Sequence, residues 1–307
     1  MKTKWIIFIV ILIAIVSVSY WIIIKDDSGE VTNNNEENNS IDTTENINDE
    51  NVNDSQVISD TKPEEDLLGL IAHWTFDEDS GDIIDSVKGH TGVIKGDLGR
   101  TEGKAGSALY FDGVDDYVHL SEESLAEVSS LAQGTIAFWF KYSSVLNQQP
   151  IMPIFYIGID STEEEDNMLV VEIGHSNTQS EEYTLDPVNK KLYITWVKEG
   201  QEPVLCFDSN ENVEEDEWHH FALVVGPDGN IGYLNGEEMV NRNYNFCSAE
   251  DQMVTDSIPI KNLFSFGYGK THHYISPEFV YFKGFIDDVR IFDQPMASSE
   301  VVRLVNN

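Results

Sequence analysis

The stretch Glu217–Met239, EWHHFALVVGPDGNIGYLNGEEM, reads as a β-hairpin and sets the class of the folded part. An apolar run ends in a Pro-Asp-Gly-Asn turn, after which Ile231 and Tyr233 alternate with smaller residues. The same pattern recurs on both sides of it. In LIAHWTF, Leu70, Ala72, Trp74 and Phe76 face one way, and Ile71, His73 and Thr75 the other. GTIAFWFKY (134–142) is apolar on both faces, as a central strand should be. IFYIGI, MLVVEI and KLYITWV are further β-branched and aromatic runs. Helical spacing is visible only near the end, in SSEVVRLVNN, where Val301, Leu304 and Val305 share a face. Many strands, turn punctuation and almost no helix predict an all-β sandwich or barrel.

Composition narrows the partners. Lys plus Arg number 18 against 55 Asp plus Glu, a net charge of −37. With no basic footprint to neutralise phosphate, nucleic acid is excluded as a partner. Such acidity suits an exported, strongly solvated protein or one from a salty habitat. Two cysteines, Cys206 and Cys247, allow at most one internal disulfide.

Two segments precede the folded part. From Trp5 to Ile24 no residue is charged. Twenty helical residues rise ~30 Å, the thickness of a hydrocarbon core. Residues 1–25 therefore read as a transmembrane anchor. Lys2 and Lys4 lie before it and Asp26 and Asp27 soon after, which places the remainder outside the cell. The competing reading is a cleaved signal peptide, for which Ser17–Ser19 is a tolerable cleavage site, although the apolar run continues through YWIII. Residues 26–66 are Asn-rich, acidic and without aromatics. They read as a disordered tether, unable to bury enough apolar surface to offset the entropy of ordering. Residues 67–307 form the folded domain.

Four stretches of that domain, in order, resemble the laminin-G-like jelly rolls of the concanavalin A-like lectin/glucanase superfamily. They are AHWTFDEDSGDIIDSVKGHTG, GKAGSALYFDGVDDYVHL, the hairpin quoted above, and KGFIDDVRIFDQPMASSEVVRLVN. The last departs from the family in carrying Ala297 where a capping Ser is usual. The resemblance implies two curved antiparallel sheets packed face to face. It also implies a binding module for a glycan or a surface protein. A structural or adhesive subunit without sugar affinity is the alternative, and a glycoside hydrolase a third, because the fold does not fix the function.

The site residues follow from this frame. A glycosidase needs two carboxylates facing each other across a sugar. Glu172 in LVVEIGH is the acid inside a strong strand, and it has no partner at alternate spacing. The chain is therefore expected to be non-catalytic. GYGKTHHYISPEF offers Tyr268, His272, His273 and Tyr274 as a ligand-binding rim loop. His219 and His220 are expected to be structural, and Trp139 and Trp196 to be core. Counting by two along GFIDDVRIF places Phe285, Asp287, Val289 and Ile291 on one apolar face, with Asp288 and Arg290 on the other. A lone carboxylate on such a face is costly to bury, and calcium would supply the missing charge. The resemblance places this structural calcium at Asp77 and Asp287, with Asp112 as a third ligand. Asp115 and Asp116 are assigned to the turn after Asp112. The competing reading pairs Asp287 with a basic or hydroxyl side chain and needs no metal.

Overall fold

The protein is described here from a computed structural model. The described residues are 68–143, 151–161, 167–175, 190–197, 205–227, 229–242, 258, 261–271 and 279–306. All lie in one compact unit, Lys62–Asn307. The expected anchor and tether, both cysteine side chains and the loop residues His272, His273 and Tyr274 lie outside the described residues. Among the described residues no helix is long and apolar enough to cross a membrane.

Two antiparallel sheets make the sandwich. The first has eight strands in the spatial order β14 (Glu237–Glu238), β13 (Gly229–Leu234), β12 (His219–Gly226), β7 (Gly134–Tyr142), β19 (Lys283–Phe292), β5 (Ser107–Asp112) and β4 (Gly99–Glu102), with β1 (Leu70–Trp74) also pairing with β19. The second has nine, in the order β15 (Asn241–Arg242), β11 (Leu205–Asp208), β10 (Lys190–Val197), β9 (Met168–His175), β8 (Ile151–Gly158), β16 (Leu263–Phe266), β6 (Tyr117–Leu120), β3 (Thr91–Lys95) and β2 (Ile83–Ile84). A ribbon of β17 (Tyr268–Gly269) and β18 (Val280–Tyr281) forms a third, small sheet.

The alternating side chains meet between the two large sheets. Trp74 from the first sheet packs edge-on against Phe264 and Phe266 from the second, at 5.9 and 5.5 Å between ring centres. Phe138 lies parallel to Phe155 across the same space, at 6.2 Å. The central place expected for GTIAFWFKY holds, since β7 pairs with β12 on one side and β19 on the other. The hairpin closes more tightly than the turn motif suggests. Gly226 pairs with Gly229, so Asn230 already belongs to the returning strand.

Two register changes correct the simple alternation. In β1 the register shifts between Leu70 and Ala72, so Leu70 packs with the outer cluster while Ile71 turns to the core. In β19 a bulge lies between Asp287 and Arg290, with Asp288 in the left-handed region at φ 53°. Aspartate tolerates that conformation better than most residues. Ile286, Val289 and Ile291 therefore face the core, and Phe285, Asp287 and Arg290 face outward. Asp287 does not share a face with Val289 and Ile291. It is buried nonetheless, on the other side of the sheet.

Two helices lie among the described residues. The helix α1, Glu122–Val128, was not signalled by apolar spacing. Ser121 caps it, accepting a hydrogen bond from the Ser124 N–H at 3.3 Å, with Glu122 and Glu123 in the first turn. The closing helix α2, Ser298–Asn306, buries Val301 and Leu304 against the outer face of the first sheet. Its start lacks a capping hydroxyl, but the Ala297 N–H donates to Glu300 Oε2 at 2.7 Å, which is half of a capping box.

Candidate functional site

The first candidate centre is the turn Gly103–Ser107, which two carboxylates grip from either end. Asp287 Oδ2 accepts from the N–H of Lys104 at 2.7 Å and of Ala105 at 2.9 Å. Asp77 Oδ1 accepts from the Ser107 N–H at 2.7 Å. Glycine is required at both grips. A Cβ on Gly103 would stand 2.5 Å from Asp287 Oδ2, and one on Gly106 (φ 70°) would strike the Asp77 carboxylate. Asp287 is fully buried, and its Oδ1 has no hydrogen-bond partner. Burial pushes its pKa up to about 7, against the pull of the Ala105, Lys104 and Asp288 amides. Asp77 and Asp287 thus hold opposite ends of one turn.

Asp112 lies elsewhere. It pairs across the sheet with Lys283, four residues along β19 from Asp287, or ~13 Å at ~3.3 Å per residue. Its neighbours are Asp115 and Asp116, and one oxygen or more from each of the three lies within 4.8 Å of the others. Backbone amides already hold two of these acids. Asp116 accepts from Asp97 N–H at 2.7 Å and Asp112 N–H at 3.0 Å, and Asp112 accepts from Val114 N–H at 2.7 Å. Burial, then Asp112 and Asp115, raise the pKa of Asp116 against those amide bonds. Asp112, the third ligand expected from sequence, thus sits with Asp115 and Asp116 at the turn through Gly113 (φ 81°).

The second centre surrounds Tyr268. Its ring stacks on Phe279 at 4.9 Å and on Tyr117 at 4.5 Å, and Tyr281 lies 5.0 Å away. All four rings are half-buried, so they form a shared aromatic surface outside the second sheet. Tyr156 and Met168 are buried beneath, in a small apolar cluster with Tyr268 and Phe279 packed against it. Burial, and then Tyr281 and Asp160, raise the pKa of the Tyr268 hydroxyl, which stays protonated and able to donate. Sequence reasoning found Tyr268 but missed Tyr117, Phe279 and Tyr281. Their signal was alternation in DYVHL and FVYF, which puts Tyr117 and Tyr281 on the solvent side of their strands, with Phe279 just before the second.

The remaining candidates resolve simply. Glu172 is fully buried on β9, opposite Tyr193. His219 bonds to the Glu214 carbonyl at 3.0 Å and approaches Asn235 Nδ2 at 3.2 Å, a hairpin-pinning role. Trp196 is core. Trp139 is buried but faces outward beside His220, under the Lys104 ammonium at 4.4 Å.

The family model Laminin_G_3, described as the concanavalin A-like lectin/glucanases superfamily, matches residues 112–302, well over half of the chain. The chain belongs to this superfamily. Among solved structures, Trypanosoma rangeli sialidase is similar with a TM-score of 0.51 and 12% identity, covering 77% of this chain and 32% of that one. The receptor binding domain of botulinum neurotoxin C/D mosaic serotype has a TM-score of 0.50 and 13% identity, covering 78% and 51%. Domain 4 of an extracellular arabinanase from Geobacillus stearothermophilus, solved with arabinotriose, has 19% identity and a TM-score of 0.49, covering 77% and 98%. At these identities the likeness is one of fold. The superfamily member described here spans about half of the toxin domain and a third of the sialidase. No curated protein sequence matches the chain.

Proposed function

We propose that the domain is a non-catalytic carbohydrate-binding module on the cell surface, and that the Tyr268 cluster is its sugar platform. The observation that carries this reading is the set of four half-buried rings, Tyr117, Tyr268, Phe279 and Tyr281, gathered at one surface. Grouped, partly exposed rings are uncommon on a surface without a ligand, and tyrosine adds a hydroxyl that fixes orientation. His272, His273 and Tyr274, expected from sequence to bind the ligand, follow Tyr268 in the chain. The non-catalytic assignment is supported by Glu172, which is buried, and by Asp208, on the other side of Tyr193, which is ion-paired with Lys191 at 2.7 Å. The N-terminal apolar segment would anchor the module, with the acidic tether holding it off the membrane. A glycan array probed with the full chain, with turnover assays on every glycan that binds, tests the function. Release of reducing ends would replace the binding reading with a hydrolytic one.

Calcium is the proposed structural cofactor. What supports it is Asp287, a fully buried carboxylate whose Oδ1 has no hydrogen-bond partner, a position at which a cation would offset the cost of burial. Asp77 stands at the other end of the same turn. Asp112 is grouped with a different turn, so the proposed set rests on Asp77 and Asp287.

A further inference from the structure

The outer face of the first sheet carries a cationic aromatic strip. Phe285 on β19 lies opposite Tyr110 on β5 and Lys141 on β7. The Tyr110 and Phe285 rings are 4.9 Å apart, and Trp218 lies 6.2 Å from Phe285. The Lys141 ammonium stands 4.1 Å from the Phe285 ring centre and 5.1 Å from that of Trp218. All four side chains are half-buried, and Gly99, next to Tyr110 on β4, leaves the strip open at that edge.

The charge on this strip is out of keeping with the rest of the chain. Acids outnumber bases 55 to 18. Lys88, Arg100, Lys191, Arg290 and Arg303 each reach a carboxylate. Among the described residues Lys141 reaches rings and no carboxylate, as Lys104 does over Trp139. An ammonium has three donors and a cation–π contact satisfies none of them fully. Glu214, Glu215 and Glu217 are exposed just before Trp218, and Asp216 accepts from Ser143 at 2.6 Å beside the end of β7. That acidic border repels an extended polyanion but leaves room for one negative group at Lys141.

We propose that this strip is a second binding site, separate from the Tyr268 cluster, for a sugar ring carrying a single carboxylate. The carboxylate pairs with Lys141, and the ring lies against Tyr110, Phe285 and Trp218. Charge-assisted pairing at a half-buried, ring-lined site supplies the selectivity.

Calorimetric titration of the full chain in detergent micelles tests this, with glucuronic acid, N-acetylneuraminic acid, lactose and heparin as probes. The two acid sugars are expected to bind at least about tenfold more tightly than lactose, the scale of one charge-assisted contact. Lys141→Met should remove that preference and Lys141→Arg should retain it, with both melting midpoints near that of the parent. Binding to one acid sugar alone narrows the stereochemistry and supports the site. No preference for acid sugars, tighter binding of heparin, or an acid-sugar affinity untouched by Lys141→Met overturns it. If Lys141→Met fails to fold, loss of the preference at high salt in the parent chain is the deciding reading. Tyr268→Ala separates the two sites, because it should leave acid-sugar binding intact whether or not the platform proposal stands.

Discussion

The Tyr268 cluster outside the second sheet and the Asp287 region outside the first are built on opposite principles. Outside the second sheet, rings stack on rings over an apolar floor of Tyr156, Met168 and Leu263. Outside the first sheet, charge is buried under the strands. Asp287 lies beneath the Gly103–Ser107 turn, and His73, Asp288 and Arg290 form a hydrogen-bonded group at the β19 bulge. The bulge causes the difference. One extra residue in β19 sends both Asp287 and Asp288 outward, while Val289 still reaches the core. Acid and metal should therefore act on the first face, and truncation of the Tyr268 ring on the second.

The contrast vanishes if the shared core fails. Trp74→Ala should cost about 4 kcal/mol and weaken both faces together, since Trp74 bridges the sheets through Phe264 and Phe266. Denaturant unfolding of the full chain checks this, and a loss confined to one binding activity would contradict a common core.

Acid should separate the faces. Burial holds the His220 pKa down at about 4, below its ordinary 6.5, with Asp288 opposing the shift and Arg290 adding to it. The unfolded chain therefore takes the proton first, and this contribution to stability falls as pH drops from 6.5 to 4. The full loss is roughly 3 kcal/mol at ~1.4 kcal/mol per pKa unit. Melting midpoints of the parent and of His220→Phe should diverge across that window, and parallel curves would remove His220 from the account.

Calcium should act on the same side. At a hundred times its Kd the ion would add about 2.7 kcal/mol of stability. Chelator should remove that gain in the parent chain and have no effect on Asp287→Ala. Equal midpoints with and without chelator in the parent would end the calcium proposal. A smaller effect, about 1 kcal/mol, is expected for Gly106→Ala, which forces a side chain into a left-handed backbone and against Asp77.

Much of this was legible in the sequence. Strand identity in β7, β12 and β13 followed from apolar pattern and turn residues, and the helix Ser298–Asn306 from its spacing. Three features were not. The helix Glu122–Val128 is seven residues long, too short for apolar periodicity to stand out, and its serine cap and two leading glutamates were the available signal. The bulges at Leu70–Ala72 and Asp287–Arg290 turn on a single residue, which strict counting by two cannot detect. The Tyr268 cluster draws on β6, β17 and β18, and such convergence is set by sheet order, which local sequence does not encode.

The central claim is that the ring cluster outside the second sheet is where the module meets sugar. Tyr268→Ala removes the ring that touches Tyr117, Phe279 and Tyr281 alike. The deciding measurement is the affinity of the parent and Tyr268→Ala full chains for the best-bound neutral glycan on the array, with melting midpoints taken alongside. The account predicts a fall of about tenfold or more, in line with ~1–3 kcal/mol for a stacked ring, while acid-sugar binding at Lys141 persists. An unchanged affinity in a folded Tyr268→Ala chain would contradict it.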